Sequence, residues 1–171
     1  MSNQDLDSLK KAAALAAVDF VRDGMVVGLG TGSTAKHMII VLGEKVRSGM
    51  RLRGVPTSKE TATLARQQGI TLIDADNAWV IDVAIDGADQ VDPDFNLIKG
   101  GGGALLKEKI VAASAKQFII LVDYTKRVPV LGGSSPLPIE VIPFGWGSTA
   151  REIEALTQSP VVLRERNGTP F

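Results

Sequence analysis

Met25-Val26-Val27-Gly28-Leu29-Gly30-Thr31-Gly32-Ser33-Thr34 is the stretch that decides the fold. Residues 25–29 form a short apolar run closed by glycines, which marks a strand buried on both faces. Residues 34–46 then change to the helical period. A buried strand, a glycine turn and a helix in that order open an α/β unit. Upstream, Leu6, Leu9, Ala13, Ala16 and Phe20 recur at three- and four-residue steps and draw an amphipathic first helix that stops near Gly24. Downstream the alternation repeats. Residues 52–56 read as a strand, and Ser58 with Thr61 opens a helix through Gln68 that Gly69 closes. Residues 70–73 and 80–85 are further apolar runs, residues 104–115 look helical and residues 118–122 are again strand-like. Strands alternating with helices predict an α/β fold: a Rossmann-like, mostly parallel sheet flanked by helices, with ligands at the C-terminal strand ends.

The 171 residues suit one domain, or one domain with a small appendage. Composition changes near residue 129, because six of the eight prolines lie from Pro129 onward and residues 132–138 read as a linker. The expected division is an α/β catalytic domain over 1–131 and a smaller, incomplete α+β domain over 132–171. Within the latter, residues 149–157 suit a helix, and residues 161–166 a strand running into the hairpin signal Asn167-Gly168. Lys plus Arg equals Asp plus Glu at 19 each, so net charge favours neither nucleic acid nor an anionic membrane. Any anion must be captured locally. The absence of cysteine excludes disulfides and thiolate chemistry. The N-terminus shows no apolar signal segment and no apolar run is long enough to span a bilayer, so a cytoplasmic protein is expected.

Four constellations follow strand-like runs. In the loop Gly28 to Thr34, glycines allow close backbone approach, and the N–H groups of a helix start, with the Ser33 and Thr34 hydroxyls, suit a phosphate. No Walker A lysine follows, and Ser33 stands where a dinucleotide fingerprint has its third glycine. A tight turn with Ser33 or Thr34 as helix cap is the alternative. Asp86-Gly87-Ala88-Asp89 places carboxylates at the end of a buried strand, which is costly unless they are paired or used; Asp92 and Asp94 follow. Their spacing is not that of an EF-hand, and a solvated acidic loop with Asx turns is the alternative.

Lys99-Gly100-Gly101-Gly102-Gly103 leads into the helix of Glu108, and four consecutive glycines cost enough backbone entropy to suggest a close approach to something. A flexible loop is the alternative, and a carboxylate early in a helix is welcome there without any catalytic role. Asp123-Tyr124-Thr125-Lys126 puts Lys126 at another strand end, where an ammonium could meet a phosphate or carboxylate, or simply water. His37, the only histidine, reads as a surface or packing residue. Thr31, Asp86, Lys99 and Lys126 are therefore expected to converge on one edge of a parallel sheet. Phosphate-binding backbone, two lysines and clustered carboxylates without a cofactor fingerprint suit proton transfer on a phosphorylated small molecule.

Taken together and in order, these motifs resemble type A ribose-5-phosphate isomerase: Val27-Gly28-Leu29-Gly30-Thr31-Gly32-Ser33-Thr34, Ile85-Asp86-Gly87-Ala88-Asp89, Ile98-Lys99-Gly100-Gly101-Gly102-Gly103-Ala104-Leu105 with Glu108-Lys109, the stretch from Asp123 to Lys126, and Leu137-Pro138-Ile139-Glu140-Val141-Ile142-Pro143-Phe144. The resemblance implies interconversion of ribose 5-phosphate and ribulose 5-phosphate in the pentose phosphate pathway, without metal or organic cofactor. It implies Glu108 as general base, Asp86 and Asp89 in ring opening and hydroxyl proton handling, and Lys99 with the amides of Gly100, Gly101 and Gly102 at the developing oxyanion. Thr31, Gly32, Ser33, Thr34, Gly87, Ala88 and Lys126 complete the implied substrate-binding set. The implied partners are a small sugar phosphate and copies of the chain itself, as a homodimer or homotetramer, with no nucleic acid and no membrane. A sugar-phosphate sensor domain, an amino-sugar-phosphate deaminase and an acyl-CoA transferase are the alternatives; the Lys-Gly-Gly-Gly-Gly run argues against the last two. Members of the resembled family continue past the position of Phe171, so the chain is expected to be a fragment with an exposed strand edge near its C-terminus.

Overall fold

A computed structural model of the chain describes residues 3–74, 78–133 and 135–171. It begins with α1 (Asn3–Val18) and alternates through β1 (Val26–Leu29), α2 (Ser33–Arg47), β2 (Arg53–Pro56), α3 (Lys59–Gln67), β3 (Thr71–Leu72) and β4 (Ile81–Asp86). A short hairpin, β5 (Gln90–Val91) and β6 (Leu97–Ile98), leads through the glycine run to α4 (Leu105–Ala113), β7 (Ala115–Ile120) and the 3-10 turn Tyr124–Lys126. The strands assemble in the order β3-β2-β1-β4-β7, every pairing parallel.

The two central strands β1 and β4 are covered on both faces, which is why they are apolar apart from Asp82 and Asp86. Val27, Leu29, Val83 and Ile85 share one cluster with Val18 of α1, Met38 and Leu42 of α2 and Ala65 of α3. Val26, Val55 and Ala84 join Val111 of α4 in a second cluster. The connection from β1 runs outward to β2, whereas β4 lies on the other side of β1. Between the ends of β1 and β4 the direction of winding reverses, and in open α/β sheets that point is where a ligand crevice forms.

Residues Met1–Pro138 form one compact unit and Ile139–Phe171 another. The second contains α5 (Trp146–Thr157) and the antiparallel pair β8 (Glu165–Arg166) and β9 (Thr169–Pro170). Asn167 and Gly168 turn that hairpin at φ 54° and 75°, the left-handed geometry that a two-residue type I′ turn requires. Among the described residues, no helix is long and apolar enough to cross a membrane.

Several sequence expectations change. Lys99 does follow a strand, but β6 belongs to the separate antiparallel pair with β5 and not to the parallel sheet. Ala115 is strand, not helix: Ser114 closes α4 by donating its N–H and hydroxyl to the Ile110 carbonyl, and Ala115 pairs with Ile81. Gly32 caps α2 at φ 116°, in place of Ser33 or Thr34. Within residues 161–166 only Glu165 and Arg166 are strand, paired with Pro170 and Thr169, and beyond them the Phe171 N–H donates to the Arg164 carbonyl at 2.9 Å. Ser134, inside the expected linker, lies outside the described residues.

Candidate active site

Gly30 and Thr31 leave the end of β1, and Asp86 closes β4 beside them. Gly30 donates its N–H to the Ile85 carbonyl at 3.0 Å, which draws the backbone so close that a β-carbon on Gly30 would stand 2.1 Å from Asp86 Oδ1. Asp86, 3% exposed, accepts from the Thr31 N–H (3.0 Å) and the Gly87 N–H (2.8 Å) at Oδ1, and from Lys99 Nζ (3.0 Å) at Oδ2. Lys99 also donates to the Gly87 carbonyl and stands 3.2 Å from Glu108 Oε2. One ammonium thus sits between two buried carboxylates. The hydrogen bonds to Asp86 and the Gly87 carbonyl hold the lysine in place.

Glu108 lies in the first turn of α4 and is 5% exposed. Burial pushes its carboxyl above the ordinary range, the neighbouring Asp86 charge adds to the rise, Lys99 opposes it, and Asp89 contributes a further increase. Among the described residues no well-aligned hydrogen bond reaches Oε2, so its tie to Lys99 is mainly electrostatic. A buried carboxylate of raised basicity, with an oxygen that lacks a hydrogen-bond donor among the described residues, is the arrangement a general base needs. Asp89 Oδ2 accepts the Gly101 N–H at 2.7 Å and so fixes the glycine loop, while Gly102 faces the Thr31 methyl, the nearest atom to its absent β-carbon at 4.0 Å. The two glycine loops therefore stand opposite each other. No side chain caps α2, so the first-turn amides at Gly32, Ser33 and Thr34 carry the partial positive charge that suits an anion.

Behind the first loop lies a group that the sequence showed only as a helix-start signal. Thr57 and Thr61, 1% and 5% exposed, sit under Thr31, with Thr57 Oγ1 2.7 Å and Thr61 Oγ1 3.3 Å from Thr31 Oγ1. Ser58 caps α3 by accepting the Thr61 N–H at 3.0 Å. Among the described residues no group of three or more histidine or carboxylate side chains is arranged to hold a metal ion.

A family model for ribose 5-phosphate isomerase A (phosphoriboisomerase A) matches residues 53–171. The chain belongs to that family. Ribose-5-phosphate isomerase A of Bradyrhizobium diazoefficiens is 55% identical over 150 residues, which are 88% of this chain and 62% of the relative. A D-ribose-5-phosphate isomerase solved in complex with phospho-erythronic acid is 44% identical with a TM-score of 0.90, over 96% of this chain and 73% of that one. The ribose 5-phosphate isomerase of Plasmodium falciparum is 39% identical with the same TM-score of 0.90 and the same coverage, 96% and 73%.

Not every residue singled out in this isomerase-family sequence joins the cluster. Lys126 lies half-buried in the turn Tyr124–Lys126, and among the described residues no hydrogen bond or ion pair links its side chain to Asp86, Lys99 or Glu108. Asp123 caps that turn by accepting the Thr125 N–H at 2.9 Å and the Thr125 hydroxyl. Asp92 organises the β5–β6 turn, accepting from the Asp94 N–H (3.0 Å) and the Asn96 N–H (2.8 Å), as an Asx turn does. Ala88 lies between the two aspartates of the cluster without a polar side chain of its own. His37 pairs with Asp7 at 3.0 Å, tying α2 to α1.

Proposed function

We propose that this chain interconverts D-ribose 5-phosphate and D-ribulose 5-phosphate by an enediolate mechanism that uses no metal and no organic cofactor, in the non-oxidative pentose phosphate pathway. The observation that carries this reading is the buried Glu108 carboxyl beside Lys99, whose ammonium Asp86 neutralises from its other side. On the open-chain sugar, Glu108 takes the C2 proton. The C–H electron pair becomes the C1–C2 double bond, and the former carbonyl oxygen at C1 gains the charge. The resemblance names Lys99 and the amides of Gly100, Gly101 and Gly102 as donors for that oxygen; with the Gly101 N–H held by Asp89, Lys99 and the amides of Gly100 and Gly102 are the ones left to serve it. Glu108 then returns the proton to C1 while the C2 hydroxyl gives up its proton, which passes to the oxygen on C1, and becomes the new carbonyl.

Asp86 and Asp89 serve ring opening and hydroxyl proton transfer. The amides of Gly32, Ser33 and Thr34 hold the phosphate, and Thr31, Gly87, Ala88 and Lys126 complete the substrate set. That a 44% identical relative is solved with phospho-erythronic acid, a phosphorylated sugar acid, supports a ligand of this class. The catalytic residues fall in the division 1–131, and the working form is a cytoplasmic homodimer or homotetramer. The deciding measurement is a coupled assay of ribulose 5-phosphate formation on wild-type and Glu108→Gln protein, with and without chelator. Loss of a general base lowers turnover by about 10² to 10⁴, so near-normal turnover by Glu108→Gln would sink the assignment. Chelator is expected to leave wild-type activity unchanged; sensitivity to it would contradict the cofactor-free mechanism.

A further inference from the structure

Hydroxyl protons in the group beneath Thr31 can be counted one by one. Thr57 Oγ1 lies 3.0 Å from the Leu29 carbonyl oxygen and 2.7 Å from Thr31 Oγ1. Thr61 Oγ1 lies 2.9 Å from the Gly30 carbonyl and accepts from Ser58 Oγ at 3.1 Å. Each hydroxyl has a single proton, and a carbonyl oxygen can only accept. Thr31 Oγ1 also stands 3.3 Å from Thr61 Oγ1, so its proton has two hydroxyl neighbours; the assignment that keeps both carbonyl contacts has Thr57 donating to Leu29, Thr61 to Gly30, Ser58 to Thr61, and Thr31 to Thr57, the nearer of its two. The backbone N–H of Thr31 is committed as well, to Asp86 Oδ1 at 3.0 Å. Thr31 thus keeps no donor for a ligand, and its Oγ1 presents lone pairs alone. The dianion of a phosphate monoester likewise offers only acceptors, whereas a sugar hydroxyl brings a proton.

We infer that Thr57 is a positioning residue that fixes Thr31 as a hydrogen-bond acceptor, so that Thr31 reads a hydroxyl of the sugar and leaves the phosphate to other groups. The inference rests on the isomerase reading for the identity of the ligand. Its test is a calorimetric titration in a Glu108→Gln background, with ribose 5-phosphate and inorganic phosphate as separate probes. Thr57→Val keeps the shape and removes the hydroxyl. It is expected to weaken ribose 5-phosphate by about 3- to 10-fold, the worth of one hydrogen bond, with inorganic phosphate unaffected. Thr57→Ser should restore the sugar phosphate affinity, and in the active enzyme Thr57→Val should raise KM while kcat stays close to wild type. Equal weakening of both probes would mean that the hydroxyls merely shape the loop, and no weakening of either would mean that they set nothing; both results overturn the inference. Should Thr57→Val not fold, Thr31→Val must give the same split between the probes. Failure of the parent Glu108→Gln protein to bind ribose 5-phosphate at all would refute the isomerase reading and this inference together, a result distinct from an unsplit ratio.

Discussion

Gly30, Gly101 and Gly102 look alike in the sequence but meet different surroundings. A β-carbon on Gly30 would stand 2.1 Å from Asp86 Oδ1 and 2.6 Å from the Asp86 α-carbon, which is backbone and cannot turn aside. Gly30→Ala is expected to cost about 3 kcal/mol in urea denaturation through overpacking. On Gly101 the collision is only with the Asp89 carboxylate, at 2.6 Å, so Gly101→Ala should keep the fold and lose activity as Asp89 swings away. Gly102→Ala meets nothing nearer than 4.0 Å and should stay within about 0.5 kcal/mol of wild type. Glu108 gives a pH signature. Because its carboxyl is raised in the fold, the native protein keeps the proton to higher pH than the unfolded chain, so stability falls as pH rises from the ordinary glutamate range to the raised value. Glu108→Gln removes that loss. Thermal unfolding should show the variant more stable than wild type at pH 8 and no more stable at pH 4, while the acid limb of wild-type kcat/KM lies above the ordinary glutamate range.

Strand β4 holds its neighbours partly through Asp82. Its Oδ2 accepts the Val26 N–H at 2.9 Å and its Oδ1 accepts Lys116 Nζ at 2.7 Å, linking β4 to the start of β1 and to β7. The Lys116 hydrogen bond, followed by that of Val26, holds the Asp82 carboxyl below the ordinary aspartate range. Its contribution is therefore present above that range and lost as pH falls through the lowered value. Asp82→Ala leaves the Val26 donor unpaired and should cost about 1–3 kcal/mol. Lys116→Ala, removing a side chain that is 66% exposed, should cost about 1 kcal/mol or less by the same urea measurement. Strands β1 and β4 can be read from the sequence because burial on both faces leaves a run of apolar residues that Asp82 alone interrupts before Asp86 closes it. The pair β5–β6 could not: each strand is two residues long and Gln90 interrupts the apolar pattern. Lys99 therefore reads as belonging to the parallel sheet, although its place as a charge near Asp86 is legible. Thr57 and Thr61 were hidden for another reason. A Thr-Ser-Lys-Glu-Thr stretch signals a helix start on local grounds, and only the parallel neighbour β1 shows what its hydroxyls face.

The two compact units differ in how much they bury. None of the described residues of Ile139–Phe171 is buried, whereas α2 alone buries seven. Amide hydrogen exchange should therefore be orders of magnitude faster in α5 than in α2, read peptide by peptide by mass spectrometry; comparable protection would mean that α5 gains cover in solution. In the first unit the sheet ends at β7, and beside it a groove of about 810 Å³ is lined by Val91, Phe95, Leu97, Phe118, Ile120 and Val128. The placement of β4 between β1 and β7 also bears on synthesis. A ribosome delivers β1 first, yet the carboxylate that the loop after β1 encloses arrives only with residue 86, and Glu108 and β7 later still. Parallel partners cannot pair until the crossover between them is complete, so such contacts form late. The nascent chain cannot bring Asp86, Lys99 and Glu108 together until most of the first unit has been made, and a ribosome stalled before residue 108 would display a glycine loop without its full set of facing side chains.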